Sequence, residues 1–149
     1  MEIRGEFCID PGHLSAGETA GELELAVPFT GLETTAAVLQ RAAVLTAGVH
    51  ARILLVAVHT LPYPLPFVCP SMVHAHLVEQ LLELASHCPL AVETQVVLAR
   101  YRLEGFRYAL KPGSTVLVAT RRRPWWTEEE KLARALAQAG HKVVLLRIA

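Results

Sequence analysis

This sequence predicts a doubly wound α/β domain, a mainly parallel sheet with helices on both faces, on three observations. From Leu23 onward short β-rich runs alternate with segments of helical periodicity, and such alternation implies right-handed crossovers between parallel strands. The runs Ile53–Val58 and Val143–Leu146 are wholly apolar, as strands buried on both faces are. The chain has 149 residues, 52% of them hydrophobic and 19% charged. That is enough for one domain with its own core, and too apolar for disorder.

The elements follow in order. Leu23–Val27 is the first strand. Thr30-Gly-Leu-Glu33 has the spacing of a capping box and opens a helix that places Leu32, Ala36, Leu39 and Ala43 on one face, with Gly48 ending it. Ile53–His59 is the second strand and runs into Leu61-Pro-Tyr-Pro-Leu-Pro66, whose prolines continue neither helix nor strand. Ser71 is the expected N-cap of a second helix with a stripe of Val73, Leu77, Leu81 and Leu84, stopped by Cys88-Pro89. Val92–Ala99 is the third strand. Leu103, Phe106 and Leu110 mark a short third helix before Pro112-Gly113. Ser114–Thr120 is the fourth strand, Thr127 caps a fourth helix packed by Leu132, Ala135, Leu136 and Ala139, Gly140 is its C-cap, and Val143–Ile148 is the fifth strand. Residues 1–21, which contain Gly5, Pro11, Gly12, Gly17 and Gly21, do not fit the alternation and read as an N-terminal extension to a domain over residues 22–149.

Bulk properties exclude several function classes. Lysines plus arginines equal aspartates plus glutamates at 14 each, so the chain as a whole has no electrostatic footprint for nucleic acid or for an anionic membrane. Tyr101, Arg102, Arg107, Tyr108 and Lys111 mix basic and aromatic residues but read as a solvated helix face. Three cysteines, Cys8, Cys69 and Cys88, lack a C-x-x-C spacing and suggest buried thiols in a reducing compartment. The N-terminus has no secretory pattern and no apolar run approaches the ~20 residues of a membrane span, so a cytoplasmic protein is expected. His74 and His76 lie two apart on a helix, ~200° from each other, and His59, Cys69, His87 and Cys88 have no ligand spacing, so no metal is expected.

Leu25-Ala-Val27 before a capped helix, Arg52-Ile-Leu-Leu-Val-Ala-Val-His59 before a proline-rich loop, Val92-Glu-Thr-Gln-Val-Val97, and Leu136-Ala-Gln-Ala-Gly-His-Lys-Val-Val-Leu-Leu146 at the end resemble the universal stress protein family over residues 22–149. The resemblance implies a five-stranded parallel sheet of order 3-2-1-4-5, dimerisation through the last strand, and in some members an ATP site between the first and fourth strands. ATP-binding members usually carry an Asp after the first strand, where this chain reads Val27-Pro28-Phe29. They also carry Gly-x-x-Gly, nine residues and Gly-Ser/Thr after the fourth, where this chain reads Ala119-Thr-Arg-Arg-Arg-Pro-Trp-Trp126. A Pro-Trp-Trp turn cannot curl its N–H groups around phosphates as glycines do. Binding of ATP or another nucleotide is therefore expected to be weak or absent, and no resident cofactor is expected.

The implied strand order sets a switch point between the first and fourth strands, with Pro28–Gly31 facing Thr120–Thr127 across a crevice. Its expected lining is Pro28, Thr30, Gly31, His59, Thr120, Arg121, Arg122, Arg123, Trp125 and Trp126. In one reading an arginine holds the phosphate or carboxylate of an anionic small molecule while a tryptophan stacks on a ring. In the other, Glu128, Glu129 and Glu130 neutralise the arginines and satisfy the helix dipole. No nucleophile elbow, H-E-x-x-H, dinucleotide fingerprint or P-loop is present, and Glu33 reads as a capping acid rather than a base. The leading expectation is a non-catalytic binding or regulatory module with a degenerate nucleotide pocket. The alternatives are a nucleotide-binding stress protein that uses the Arg/Trp loop, and an enzyme of the adenine-nucleotide-binding α/β group. The apolar fifth strand at a sheet edge predicts a homodimer.

Overall fold

The structure, a computed structural model, describes residues 23–63, 66, 71–121 and 127–148. The expected extension over residues 1–21 lies outside them. Nine elements alternate along the chain: β1 (Leu23–Pro28), α1 (Leu32–Leu45), β2 (Ala51–Thr60), α2 (Ser71–Ser86), β3 (Ala91–Ala99), α3 (Arg102–Ala109), β4 (Thr115–Arg121), α4 (Glu128–Gln138) and β5 (Lys142–Ile148). The strands form one parallel sheet of order β3-β2-β1-β4-β5, as the resemblance implied.

Strand alternation divides the core into two layers. Leu25 and Val27, Ile53, Leu55 and Ala57, Val92 and Val96, Leu117 and Ala119 point to one face and meet Val38, Leu39 and Ala42 of α1 and Leu81 and Leu84 of α2. Ala26, Leu54, Val56, Val97, Val116 and Val118 point to the other and meet Phe106 and Leu110 with Leu132, Ala133 and Leu136 of α4. Each β2 residue from Ile53 to Ala57 is buried, which is why that segment shows no alternation of apolar and polar residues. α3 sits close on β2 and β3 because Gly105 has no side chain. A Cβ there would lie 2.6 Å from Val58 Cγ1, inside any normal contact, and 3.1 Å from Ala99 Cβ, tighter than most.

Several local expectations are corrected. The N-cap of α1 is Gly31, not Thr30, and no side chain caps it. The buried stripe of α1 is Thr35, Val38, Leu39 and Ala42, and Leu32 is exposed. Ser71 is the first residue of α2 rather than its cap, and Val73 is exposed while Leu81 and Leu84 are buried. In α4 the buried residues are Leu132, Ala133 and Leu136, while Ala139 is the exposed C-cap that precedes Gly140. Thr127 does cap α4, its hydroxyl accepting the Glu130 N–H.

Candidate functional site

β1 and β4 pair only at Leu25↔Thr115 and Ala26↔Val116. Beyond that point they part. β1 stays bonded to β2 as far as Pro28↔Val56, and β4 stays bonded to β5 as far as Arg121↔Ile148. The carboxyl ends of two neighbouring strands thus turn toward opposite halves of the sheet, which is the geometry of a switch-point crevice.

The β1 side of this crevice is built from Pro28 to Gly31. Pro28 is buried, and the next residue donates its N–H to Val56 O at 2.7 Å, which holds the turn against β2. Phe29 then packs half-buried on the layer beneath α1 and α2. The Thr30 N–H donates to Thr35 Oγ1 at 3.1 Å, and the Thr30 and Thr34 hydroxyls share a hydrogen bond of 3.0 Å. Gly31 adopts φ 133° and ψ 157°, a conformation that disfavours any residue with a Cβ. The turn is therefore short, with the Phe29 N–H bonded to β2 and the Thr30 N–H and hydroxyl bonded to the start of α1.

On the β4 side Thr120 is buried, and its hydroxyl donates to Glu130 Oε1 at 2.7 Å. This bond ties the end of β4 to the first turn of α4. Glu128 pairs with Lys131 at 3.1 Å. Two of the three glutamates expected to neutralise the arginines therefore have partners elsewhere. Arg121 lies on the ladder to β5, while Arg122, Arg123, Trp125 and Trp126 lie outside the described residues. His59 is half-buried at the end of β2, opposite Leu98. Strand alternation puts it on the face of α1 and α2, and puts Thr120 on the face of α3 and α4.

Two features here carried no sequence signal. Arg100, just past β3, donates from Nη1 to Leu61 O at 3.1 Å and to Pro62 O at 3.2 Å, and its guanidinium lies 4.4 Å from the centre of the Tyr63 ring. It joins the loops after β2 and β3 into one surface beside the crevice. Position alone, directly after a strand at the carboxyl edge, was the available hint. The second is a cavity between α4 and β5 that includes Thr120 and Glu130. Its lining residues are far apart in sequence and share no motif.

Among the described residues no three metal-ligating side chains come together, and no helix is long and apolar enough to cross a membrane. Cys88 is a half-buried free thiol. Burial pushes its pKa up, and a hydrogen bond with the Leu90 backbone partly offsets this.

The fold defines a doubly wound α/β domain whose switch point falls between β1 and β4, where the two strands part. No family model and no curated protein matches the sequence. Solved structures do match. A universal stress protein family member from Burkholderia pseudomallei is 19% identical, with 87% of this chain and 98% of that one covered and a TM-score of 0.55. A universal stress protein in complex with cAMP is 13% identical, with the same coverage and a TM-score of 0.52. This chain has the universal stress protein fold.

Proposed function

We propose that this chain is a non-catalytic binding or regulatory module of the universal-stress type, with a reduced nucleotide site in the β1–β4 crevice. The observation that carries the reading is the closure of the β1–α1 turn on itself. The Thr30 N–H and hydroxyl are engaged by Thr35 and Thr34, and where ATP-binding members usually carry an Asp after the first strand this chain reads Val27-Pro28-Phe29, with Phe29 packed on the core and no carboxylate presented. A nucleotide entering there meets groups already committed to one another, and breaking those bonds subtracts from its affinity. The opening between the strands and the cAMP complex of a protein with the same fold make nucleotides the ligand class to test.

Calorimetric titration of the full chain with ATP, ADP and cAMP, followed by chromatography for products, is the test. The expected result is no turnover and dissociation constants weaker than about 1 μM, that is less than ~8 kcal/mol of binding free energy. Sub-micromolar ATP binding, or any product, would overturn the reading. A second reading, nucleotide binding through Arg121–Arg123 with Trp125 or Trp126 stacked on the base, is favoured by the extension of β4 to Arg121 past its last pairing with β1. In that case one of Arg121→Ala, Arg122→Ala and Arg123→Ala should cost far more than the ~0–1 kcal/mol of a surface charge pair.

The same reading includes a homodimer. β5 is bonded on one side to β4 and occupies the end of the strand order, and its Val144 and Leu145 are exposed. Such an edge normally needs a cover. We propose that two copies join β5 to β5 across a two-fold axis. Light scattering on the full chain and on a chain starting at Gly21 tests this. A dimer in both supports it, a monomer that associates only after truncation points to residues 1–21 as the cover, and a monomer in both removes the edge argument.

A further inference from the structure

Between Arg41 and Arg52 the chain carries no Lys, Arg, Asp or Glu, yet this is where the end of α1 turns back to the sheet and meets solvent. The buried stripe of α1 runs on from Ala42 to Thr46, whose hydroxyl donates to Ala42 O at 2.8 Å. Val44 and Leu45 are therefore turned away from the core, 72% and 58% exposed. The backbone then folds tightly, the Ala47 N–H donating to Val44 O and the Val49 N–H to Thr46 O, which keeps Val49, 55% exposed, beside them. Leu23 completes the patch. Its N–H donates to His50 O at 2.9 Å, it shares the α1 side of the sheet with Leu25 and Val27, and it is 41% exposed. Four large apolar side chains thus gather at the amino edge of the sheet, and a cluster of that kind marks an interaction surface.

Leu23 is also the point at which residues 1–22 join the sheet, so that segment is tethered beside the patch. It holds Ile3, Phe7, Ile9 and Leu14, and five acidic residues against one basic, a net charge of −4. Residues 23–149 hold nine acidic against thirteen basic, a net charge of +4. The neutral total conceals opposite charges on two parts of one chain, and these attract. At the patch itself Arg41 stands exposed one turn before Leu45, whereas the nearby acid Glu24 is already paired with Arg52. Leu23 follows Ile9 by fourteen residues, and chain of that length reaches on the order of 40 Å. A tether of this kind makes a weak contact effective without a second molecule.

We propose that residues 1–22 dock on this patch, with Phe7 and Ile9 against Val44, Leu45, Val49 and Leu23 and the acidic side chains toward Arg41 and the basic remainder of the domain. A second copy meeting the patch face to face would set Arg41 against Arg41 and would lose the freedom of a separate molecule, which the tethered segment does not. The surface lies at the opposite edge of the sheet from the β1–β4 crevice and away from β5, so it stands independently of nucleotide binding and of strand pairing between copies.

Cross-linking within the full chain tests this. With Cys69→Ser and Cys88→Ser, Cys8 is left as the only native thiol, next to Phe7. Val49→Cys is added in one variant and Leu145→Cys, on the exposed side of β5, in another. A short bismaleimide and mass spectrometry of the digest then read which position Cys8 reaches. The expected result is a link within one chain from position 8 to position 49, severalfold more abundant than that to position 145. Phe7→Ser together with Ile9→Ser should lower its yield severalfold, and in the chain without the cysteine changes the same pair should shift the amide signals of residues 44–49 and leave those of β5 in place. The proposal is overturned if position 145 is reached as readily as position 49, if Phe7→Ser with Ile9→Ser leaves the yield or the amide signals of residues 44–49 unchanged, or if the link joins two chains, which would make a second copy the occupant.

Discussion

α1 and α4 both begin at the carboxyl edge of the sheet with a Thr-x-x-Glu sequence, Thr30–Glu33 and Thr127–Glu130, yet they start in different ways. At α4 the threonine is the N-cap, its backbone is extended at φ −80° and ψ 163°, and its hydroxyl accepts the Glu130 N–H at 3.2 Å. The Glu130 carboxylate then reaches Thr120 on the sheet rather than back to the cap. At α1 the helix begins one residue later, Gly31 is the N-cap, and Thr30 bonds forward to Thr34 and Thr35. The difference lies in the connection. The β1–α1 link is only the three residues between Pro28 and Leu32, and its first N–H is drawn to Val56 O on β2. A chain that must turn so sharply uses glycine where φ is positive, and the neighbouring hydroxyls become turn ties instead of caps. A capping motif thus reports a helix start only when the preceding loop leaves its threonine free to take the cap position.

The largest effect that sharpens this contrast is expected from Gly31→Val. A branched side chain at φ 133° is strained by about 1–3 kcal/mol, which should appear as a lower urea midpoint with unchanged m-value. If stability is unaffected, the turn is not held in this conformation in solution. Thr127→Ala should come next, at about 1 kcal/mol for loss of a true N-cap. A double-mutant cycle between Thr120→Val and Glu130→Ala should then give a coupling of about 0.5–1.5 kcal/mol, reporting the bond that ties α4 to β4. Additive effects would show that the bond contributes nothing. Thr30→Ala should be the mildest, at less than about 0.5 kcal/mol, since its hydroxyl shares one partly buried bond with Thr34. Equal losses for Thr30→Ala and Thr127→Ala would break the comparison, because they would mean that both threonines cap.

The candidate site was legible in the sequence to a different degree on its two sides. The crevice followed from strand order, and strand order from a resemblance rather than from periodicity. On the β1 side Pro28, Thr30 and Gly31 were expected in the crevice lining and Thr30 in a capping box; the structure ends β1 at Pro28 and gives the cap position to Gly31, and the partners of Thr30 depended on Thr34 and Thr35 coming within reach of the turn. On the β4 side Thr120 was placed in the crevice. Its hydroxyl is instead turned to Glu130, because even-numbered residues of β4 face α4. Arg100 escaped attention because its partners, Leu61 O and Pro62 O, lie on a different loop.

By itself the sequence determined the succession of strands and helices, the apolar runs that bury β2, and the capped start of α4. These depend on side-chain period and on neighbours a few residues away, which any local stretch of chain carries with it. Tertiary structure alone decided that Gly31 rather than Thr30 begins α1, that Gly105 lets α3 approach Val58 and Ala99, and that Ala133 and Ala137 lie over Val143 and Leu145 with space between them. Each of these is set by the distance between elements remote in sequence, and that distance exists only once the sheet has formed and the helices have packed on it.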